Sequence, residues 1–171
     1  YRRQRQMCIR DSEHIDHISG IGVLSRKYDV PIYATSGTIA GISTTRSVGD
    51  IDDQLYQVIH KNENITVGGL LIKAVPISHD AADPVCYTIT NGKSHAAIAT
   101  DMGCYTEEIV ENLKGMDAIL LEANHDVNML QVGPYPYYLK QRILGDRGHL
   151  SNENAGRLLC RLLHDNMKGI F

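Results

Sequence analysis

The sequence predicts a mixed α/β domain. Three observations carry that reading. Strand-like apolar stretches alternate with segments of helical apolar spacing, and two strands flank an Asn-Gly hairpin signal near the middle of the chain. In addition, 171 residues with 43% hydrophobic and 22% charged side chains suffice for one buried core. The pattern contains no internal repeat, low-complexity linker or second domain.

From Ile18 the apolar positions Ile18, Ile21, Leu24 and Tyr28 recur at helical spacing, so a helix is expected there. VPIYAT (30–35) reads as a short strand. Residues 36–64 are polar and ambiguous, with a helix expected around Leu55, Val58 and Ile59. ITVGGLLIKAVPI (65–77) reads as strand, interrupted at Gly68-Gly69. VCYTIT and HAAIAT flank Asn91-Gly92-Lys93, where Asn-Gly tolerates the positive φ of a tight turn. TEEIVENLKG (106–115) opens on Thr106 as N-cap, carries acids in its first turn and closes on glycine, which specifies a helix. DAILLEA (117–123) is a buried strand. Ser151 caps a last helix whose Ala155, Leu158, Leu159 and Leu162 share a face, and the closing GIF enters another strand.

No apolar run reaches the roughly 20 residues that span a bilayer, and the opening has no signal-peptide pattern, so a cytoplasmic protein without a membrane partner is expected. Cys8, Cys86, Cys104 and Cys160 are widely spaced with no C-x-x-C pair and read as ordinary reduced thiols. Formal net charge is −3. The first twelve residues, YRRQRQMCIRDS, hold four arginines against Asp11, a net of +3, which leaves −6 on the remainder. That opening has no apolar periodicity and looks like translated adapter sequence. Residues 1–12 are therefore read as a non-native leader and 13–171 as the domain, and the arginines are not taken as a sign of nucleic-acid binding.

The polar exceptions to the apolar pattern are ordered. His14, Asp16, His17, His79, Asp101, His125 and His149 each follow a strand or open a helix, where α/β scaffolds present functional side chains. Imidazole and carboxylate suit zinc, manganese or iron. Other chemistries lack their motifs, since neither G-x-S-x-G nor G-x-x-x-x-G-K-[ST] occurs. Ser78-His79-Asp80 is no triad, because adjacent residues point apart. His60, His95 and His164 fit no pattern and read as structural.

E-H-x-D-H at 13–17, His79, Asp101 and His149 resemble the ordered signature of the metallo-β-lactamase fold, H-x-H-x-D-H…H…D…H. PISHDAADPV, LLEANHD and DRGHLSNENAG are most similar to its YycJ/WalJ group, described as 5′-to-3′ DNA exonucleases. The resemblance runs from Glu13 to the end of the chain. It implies an αββα sandwich, here a partial domain incomplete at both ends. It also implies two divalent ions, zinc or manganese, and cleavage of phosphodiester bonds in nucleic acid, single-stranded DNA in particular, by metal-bound hydroxide. By position, His14 and His79 would hold one ion and Asp16, His17 and His149 the other. Asp101 would bridge them at the roughly 3.5–4 Å spacing of two-metal sites. Asp16 and His125 are the catalytic candidates, and Asp80, Asn124 and His125 the substrate contacts.

Two features stand against a simple transfer. The residue two before His14, histidine in that signature, is Ser12, so the first metal position is expected to be weakened. PYPYYLKQR (134–142) also reads in two ways: a stacking edge for single-stranded nucleic acid, or tyrosines packing a helix onto the sheet while the cations reach solvent. The alternative functions are a hydrolase of a small cyclic nucleotide, thioester or lactam, and a non-catalytic fragment without a complete metal site.

Overall fold

The structure is a computed structural model, and it describes residues 8–171. The arginine-rich opening, residues 1–7, lies outside the described residues. In chain order the elements are β1 (Cys8–Ile9), α1 (Ile15–Ile18), α2 (Ile21–Tyr28), β2 (Ile32–Ala34), α3 (Ser36–Thr44), β3 (Tyr56–Val58), β4 (Asn64–Val67) and β5 (Leu70–Pro76). There follow β6 (Val85–Thr90), β7 (His95–Ala99), α4 (Glu107–Leu113), β8 (Ala118–Leu121), α5 (Val127–Val132), α6 (Tyr137–Leu144), α7 (Asn152–Leu162) and β9 (Gly169–Ile170).

Two sheets result. β1-β2-β3 is parallel, and β4-β5-β6-β7-β8-β9 is antiparallel through β7 and parallel beyond it. The antiparallel part forms by local turns. Gly68 and Gly69, with φ of 57° and 86°, make the two-residue hairpin between Val67 and Leu70, so the break in the apolar run is a turn rather than a flaw in one strand. The second hairpin falls where expected, with Gly92 at a φ of 84°. Thr90 pairs with His95, leaving a four-residue loop in which the Asn91 side chain accepts from the backbone of Lys93 and Ser94.

Alternation along the strands sorts the core. Val75, Cys86, Ala97, Ala99, Ile119 and Leu121 point to one face of the large sheet and meet Ile109, Val110 and Leu113 of α4 and Leu158 and Leu162 of α7. Ile72, Ala74, Val85 and Tyr87 point to the other face, against Ile9 and Tyr33 of the small sheet. Cys8 and Ile32 on the far side of that sheet pack on Ile18, Ile21 and Ile42 of the first helices. The order is helices, sheet, sheet, helices: the αββα sandwich.

Several expectations are corrected. The helix expected around Leu55 to Ile59 is a single 3-10 turn followed by β3, because the pairing of β3 with β2 overrides a three-position helical spacing. Within 36–64 it is Ser36–Thr44 that forms a helix. Ser19-Gly20 breaks the first helix in two, and the buried face of α2 is Ile21, Gly22 and Ser25, with Leu24 and Tyr28 exposed. Gly22 is required there, since a Cβ would lie 2.0 Å from the Val48 carbonyl oxygen. Thr106 and Ser151 cap α4 and α7 as expected. Residues 8–12, expected to stand outside the domain, take part in the fold. Cys8–Ile9 pairs with β2, the Asp11 carbonyl accepts from Val85 N, and the Arg10 carbonyl accepts from the Tyr87 hydroxyl at 2.7 Å.

Candidate metal centre

Strand ends converge on one cluster. β1 runs out into Asp11 to His14, β5 into His79, β7 into Asp101, and β8 into Glu122; His149 arrives from the loop before α7. Asp101 is in the left-handed region, with φ of 52°, a conformation that Asp tolerates better than most residues. Among the described residues there are three groups of potential ligands, the last two sharing Asp101: His14, His79 and Asp80; Asp11, His17 and Asp101; and Asp101, Glu122 and His149.

Hydrogen bonds fix the orientation of three of the imidazoles. His17 Nδ1 lies 2.9 Å from Asp11 Oδ1, His79 Nδ1 lies 3.1 Å from the Gly148 carbonyl oxygen, and His149 Nδ1 lies 2.6 Å from Glu122 Oε1. An Nδ1 proton donated to such an acceptor leaves Nε2 with its lone pair, the tautomer a metal requires. Two of those Nε2 atoms face other potential ligands: His17 Nε2 is 2.6 Å from Asp101 Oδ2, and His79 Nε2 is 3.1 Å from His14 Nδ1. The contact of His17 with Asp101 is close but lacks hydrogen-bond direction, so Oδ2 is buried without a donor, as is Asp80 Oδ1. Two carboxylate oxygens buried without a donor, Asp101 Oδ2 and Asp80 Oδ1, set beside the Nε2 atoms of His17 and His79, are a donor set that fits divalent cations, which would take the place of the protons His17 holds without them.

The charges couple accordingly. Asp101 and then Asp11, one on each ring nitrogen, push His17 up to about 10. Burial raises the Asp101 and Asp11 carboxyls, but the imidazole of His17 outweighs it and both end below the usual range. The hydrogen bond to Glu122 raises His149, and the bond from Arg142 lowers Asp80. Burial lowers His125, whose Nε2 has no partner.

Of the residues expected from the sequence, His14, His17, His79, Asp101 and His149 come together. Asp16 sits at the rim, its side chain 76% exposed and 3.4 Å from His17 Nε2. Asn124 donates to Glu122 Oε1 at 3.2 Å, and His125 lies beside it, its ring 3.3 Å from the Asn124 side chain. Asp80 lies nearer the ligands than expected, 3.6 Å from His14 Nε2 and 3.5 Å from His79 Nε2. Ser12 is 1% exposed and its hydroxyl has no partner. Ser78 donates to the Asp146 carbonyl at 2.7 Å. His164 contacts the Met116 carbonyl, and neither it nor His60 nor His95 joins the cluster.

Sequence reasoning missed two members. Glu122 ends β8 as Asp101 ends β7, and the same strand-end logic selects it. Asp11 was set aside with the opening residues. The reading of 134–142 as core packing is also overturned: α6 has no buried residue, and Tyr137 and Tyr138 are 77% and 73% exposed.

The sequence profile of the β-lactamase superfamily domain matches residues 9–167. The chain belongs to the β-lactamase superfamily. Within it, the exodeoxyribonuclease YycJ of Bacillus anthracis is 37% identical over 159 residues, 93% of this chain and 60% of that protein. The exodeoxyribonuclease WalJ of Streptococcus pneumoniae D39 is 36% identical over 93% of this chain and 59% of its own length. The superfamily chain described here thus spans about three fifths of the curated relatives it matches. Among solved structures, zinc-bound PqqB of Methylobacterium extorquens superposes with a TM-score of 0.72 at 19% identity, over 95% of this chain and 61% of that one. YhfI of Bacillus subtilis, a metallo-β-lactamase fold protein, gives 0.66 at 18%, with the same coverage of 95% and 61%. These likenesses show the shared fold. Among the described residues no helix is long and apolar enough to cross a membrane.

Proposed function

We propose that this chain carries the metal centre of a cytoplasmic hydrolase that cleaves phosphodiester bonds of single-stranded DNA from the 5′ end. The observation that carries the reading is the tethering of His17, His79 and His149 through Nδ1 around Asp101, whose Oδ2 is buried without a donor. The substrate class rests on the exodeoxyribonuclease names of the curated relatives.

In this reading His14 and His79 hold one divalent cation, zinc or manganese, with Asp80 Oδ1 in reach. Asp16, His17 and His149 would hold the second, with Asp101 shared between the sites. Such ions supply an activated water at neutral pH and neutralise charge building on the phosphate. The protein supplies the rest. Glu122 and Asp11 hold the rings of His149 and His17 in position, and Glu122 is itself fixed by Met102 N and Leu150 N. His125, whose pKa burial lowers, keeps an unpartnered Nε2 that would serve as a base for a proton at the substrate, with Asn124 beside it. Asp16 at the rim accepts a proton as water is consumed.

The test compares hydrolysis of 5′-phosphorylated single-stranded DNA, a β-lactam and a thioester by the zinc- or manganese-loaded chain, with a chelator as control. The proposal expects mononucleotide release from DNA that stops on chelation. Turnover of the thioester or lactam without DNA cleavage overturns the substrate class.

A further inference from the structure

Joined to the candidate metal centre through Arg142 and Arg147 is a lobe whose composition the chemistry so far does not use. α5 and α6 expose Met129, Val132, Tyr135, Tyr137 and Tyr138, five large side chains within ten residues. α6 turns Leu139, Ile143 and Leu144 partly inward while Tyr137 and Tyr138 stay exposed, so these rings do not serve the core. The lobe is held by Lys140, which donates to the Gln131 carbonyl at 2.6 Å, and by Arg142, whose Nε donates to Asp80 Oδ2 at 2.5 Å. Clustered exposed aromatic and apolar groups of this kind mark a binding surface.

Charge selects the occupant. Residues 127–147 carry Lys140, Arg142 and Arg147 against Asp146, a net of +2, in a chain whose formal charge is −3. The cations lie on the side of the cluster: Arg147 Nε donates to the His79 carbonyl, and Asp80, which Arg142 grips, is 3.6 Å from His14 Nε2. Tyr138 precedes Arg142 by four residues and so shares its face of the helix, about 6 Å along the axis. Through Asp80, the helix face that carries Tyr138 and Arg142 is joined to His14 and His79. Aromatic faces accept any base, and adjacent cations take the phosphates between them.

We propose that Tyr138, with Tyr135 and Tyr137 beside it, is a stacking platform for the bases of a single-stranded nucleic acid, and that Arg142 leads its phosphates toward the Asp101 cluster. This deepens the proposed nuclease reading and rests on it for the choice of strand. The platform reads backbone and ring faces, so it is sequence-tolerant. It also explains why the tyrosines stay in solvent, where a packing role would bury them.

Fluorescence anisotropy of a labelled, 5′-phosphorylated oligodeoxythymidylate titrated with the full chain tests the platform without requiring turnover. Tyr138→Ala is expected to weaken Kd by roughly tenfold, with Tyr138→Phe retaining most of the affinity. Tyr28→Ala, on the exposed face of α2, is expected to bind as the unaltered chain does. The Tyr138→Ala effect should grow with strand length and be far smaller for thymidine 5′-monophosphate. Equal Kd values for Tyr138→Ala and the unaltered chain, or no binding of the oligonucleotide, overturn the platform. Cleavage of the same strand, scored separately, distinguishes the two readings. DNA cleaved with Tyr138→Ala binding unchanged removes the platform alone; Tyr138-dependent binding without cleavage removes the nuclease reading alone.

Discussion

On one side of Asp101, His17 and His149 each lean on a carboxylate, Asp11 and Glu122, at 2.9 and 2.6 Å. On the other side, among the described residues, the His14 ring meets His79 and Asp80, and Ser12, two positions earlier, is buried with an unpartnered hydroxyl. The first side sets a carboxylate behind each imidazole; on the second, His79 rests on a neutral carbonyl and Asp80 is shared with Arg142. A metal centre depends on how firmly its ligands are oriented as well as on their number. The two cation positions should therefore differ in affinity, with the His17–His149 side the tighter.

Removing the supports breaks the comparison most strongly. Asp11→Asn and Glu122→Gln should each lower zinc affinity about 10–100-fold, measured by competition with a chromophoric chelator. Asp80→Asn, whose carboxylate is shared with Arg142, should cost less than about tenfold by the same assay. If Asp80→Asn costs more than Asp11→Asn, the ranking of the two sides is reversed.

Replacing Ser12 is the next largest change. Ser12→His should tighten the second equivalent of zinc on the order of tenfold in a calorimetric titration, leaving the first nearly unchanged. An unchanged second equivalent would mean that Asp80 already completes the weaker side.

The pH dependence of the metal-free chain is a smaller effect with a definite sign. His17 is raised to about 10 in the folded state, so its contribution is complete below its ordinary value of 6.5 and fades as pH rises through about 10. Asp11 and Asp101 are lowered, so their contribution is present above 3.8 and fades as pH falls through their depressed values. Denaturation midpoints measured with a chelator present should fall on both flanks, and His17→Gln should flatten the alkaline one.

The smallest expected change is none at all, in a reporter of the sheet. Burial pushes the Cys86 thiol up to about 12, while Cys160 is exposed. A thiol reagent should modify Cys160 quickly and leave Cys86 untouched in every cluster variant. Rapid loss of Cys86 in a variant would assign its metal defect to unfolding.

Much of this was legible in the sequence where the signal is local. The caps at Thr106 and Ser151, the Gly68-Gly69 turn and the buried face of α7 follow from neighbouring residues. The histidines and Asp101 stood out because titratable groups recur at the ends of apolar strands. The misses are cases in which distant residues decide. β3 is a strand because β2 lies beside it. Asp11 matters because the His17 ring, six positions on, turns back onto it, and Glu122 matters because it meets a ring 27 positions later. The tyrosines of α6 were ambiguous because aromatic spacing alone does not distinguish a packed face from an exposed one.

Zinc content per chain after gel filtration, compared between the unaltered chain and Asp101→Ala, addresses the shared centre directly. The cluster geometry predicts about one tightly held ion in the unaltered chain, a second lost on dilution, and neither retained by Asp101→Ala with unchanged circular dichroism. Equal zinc content in the two chains would contradict a metal centre organised on Asp101.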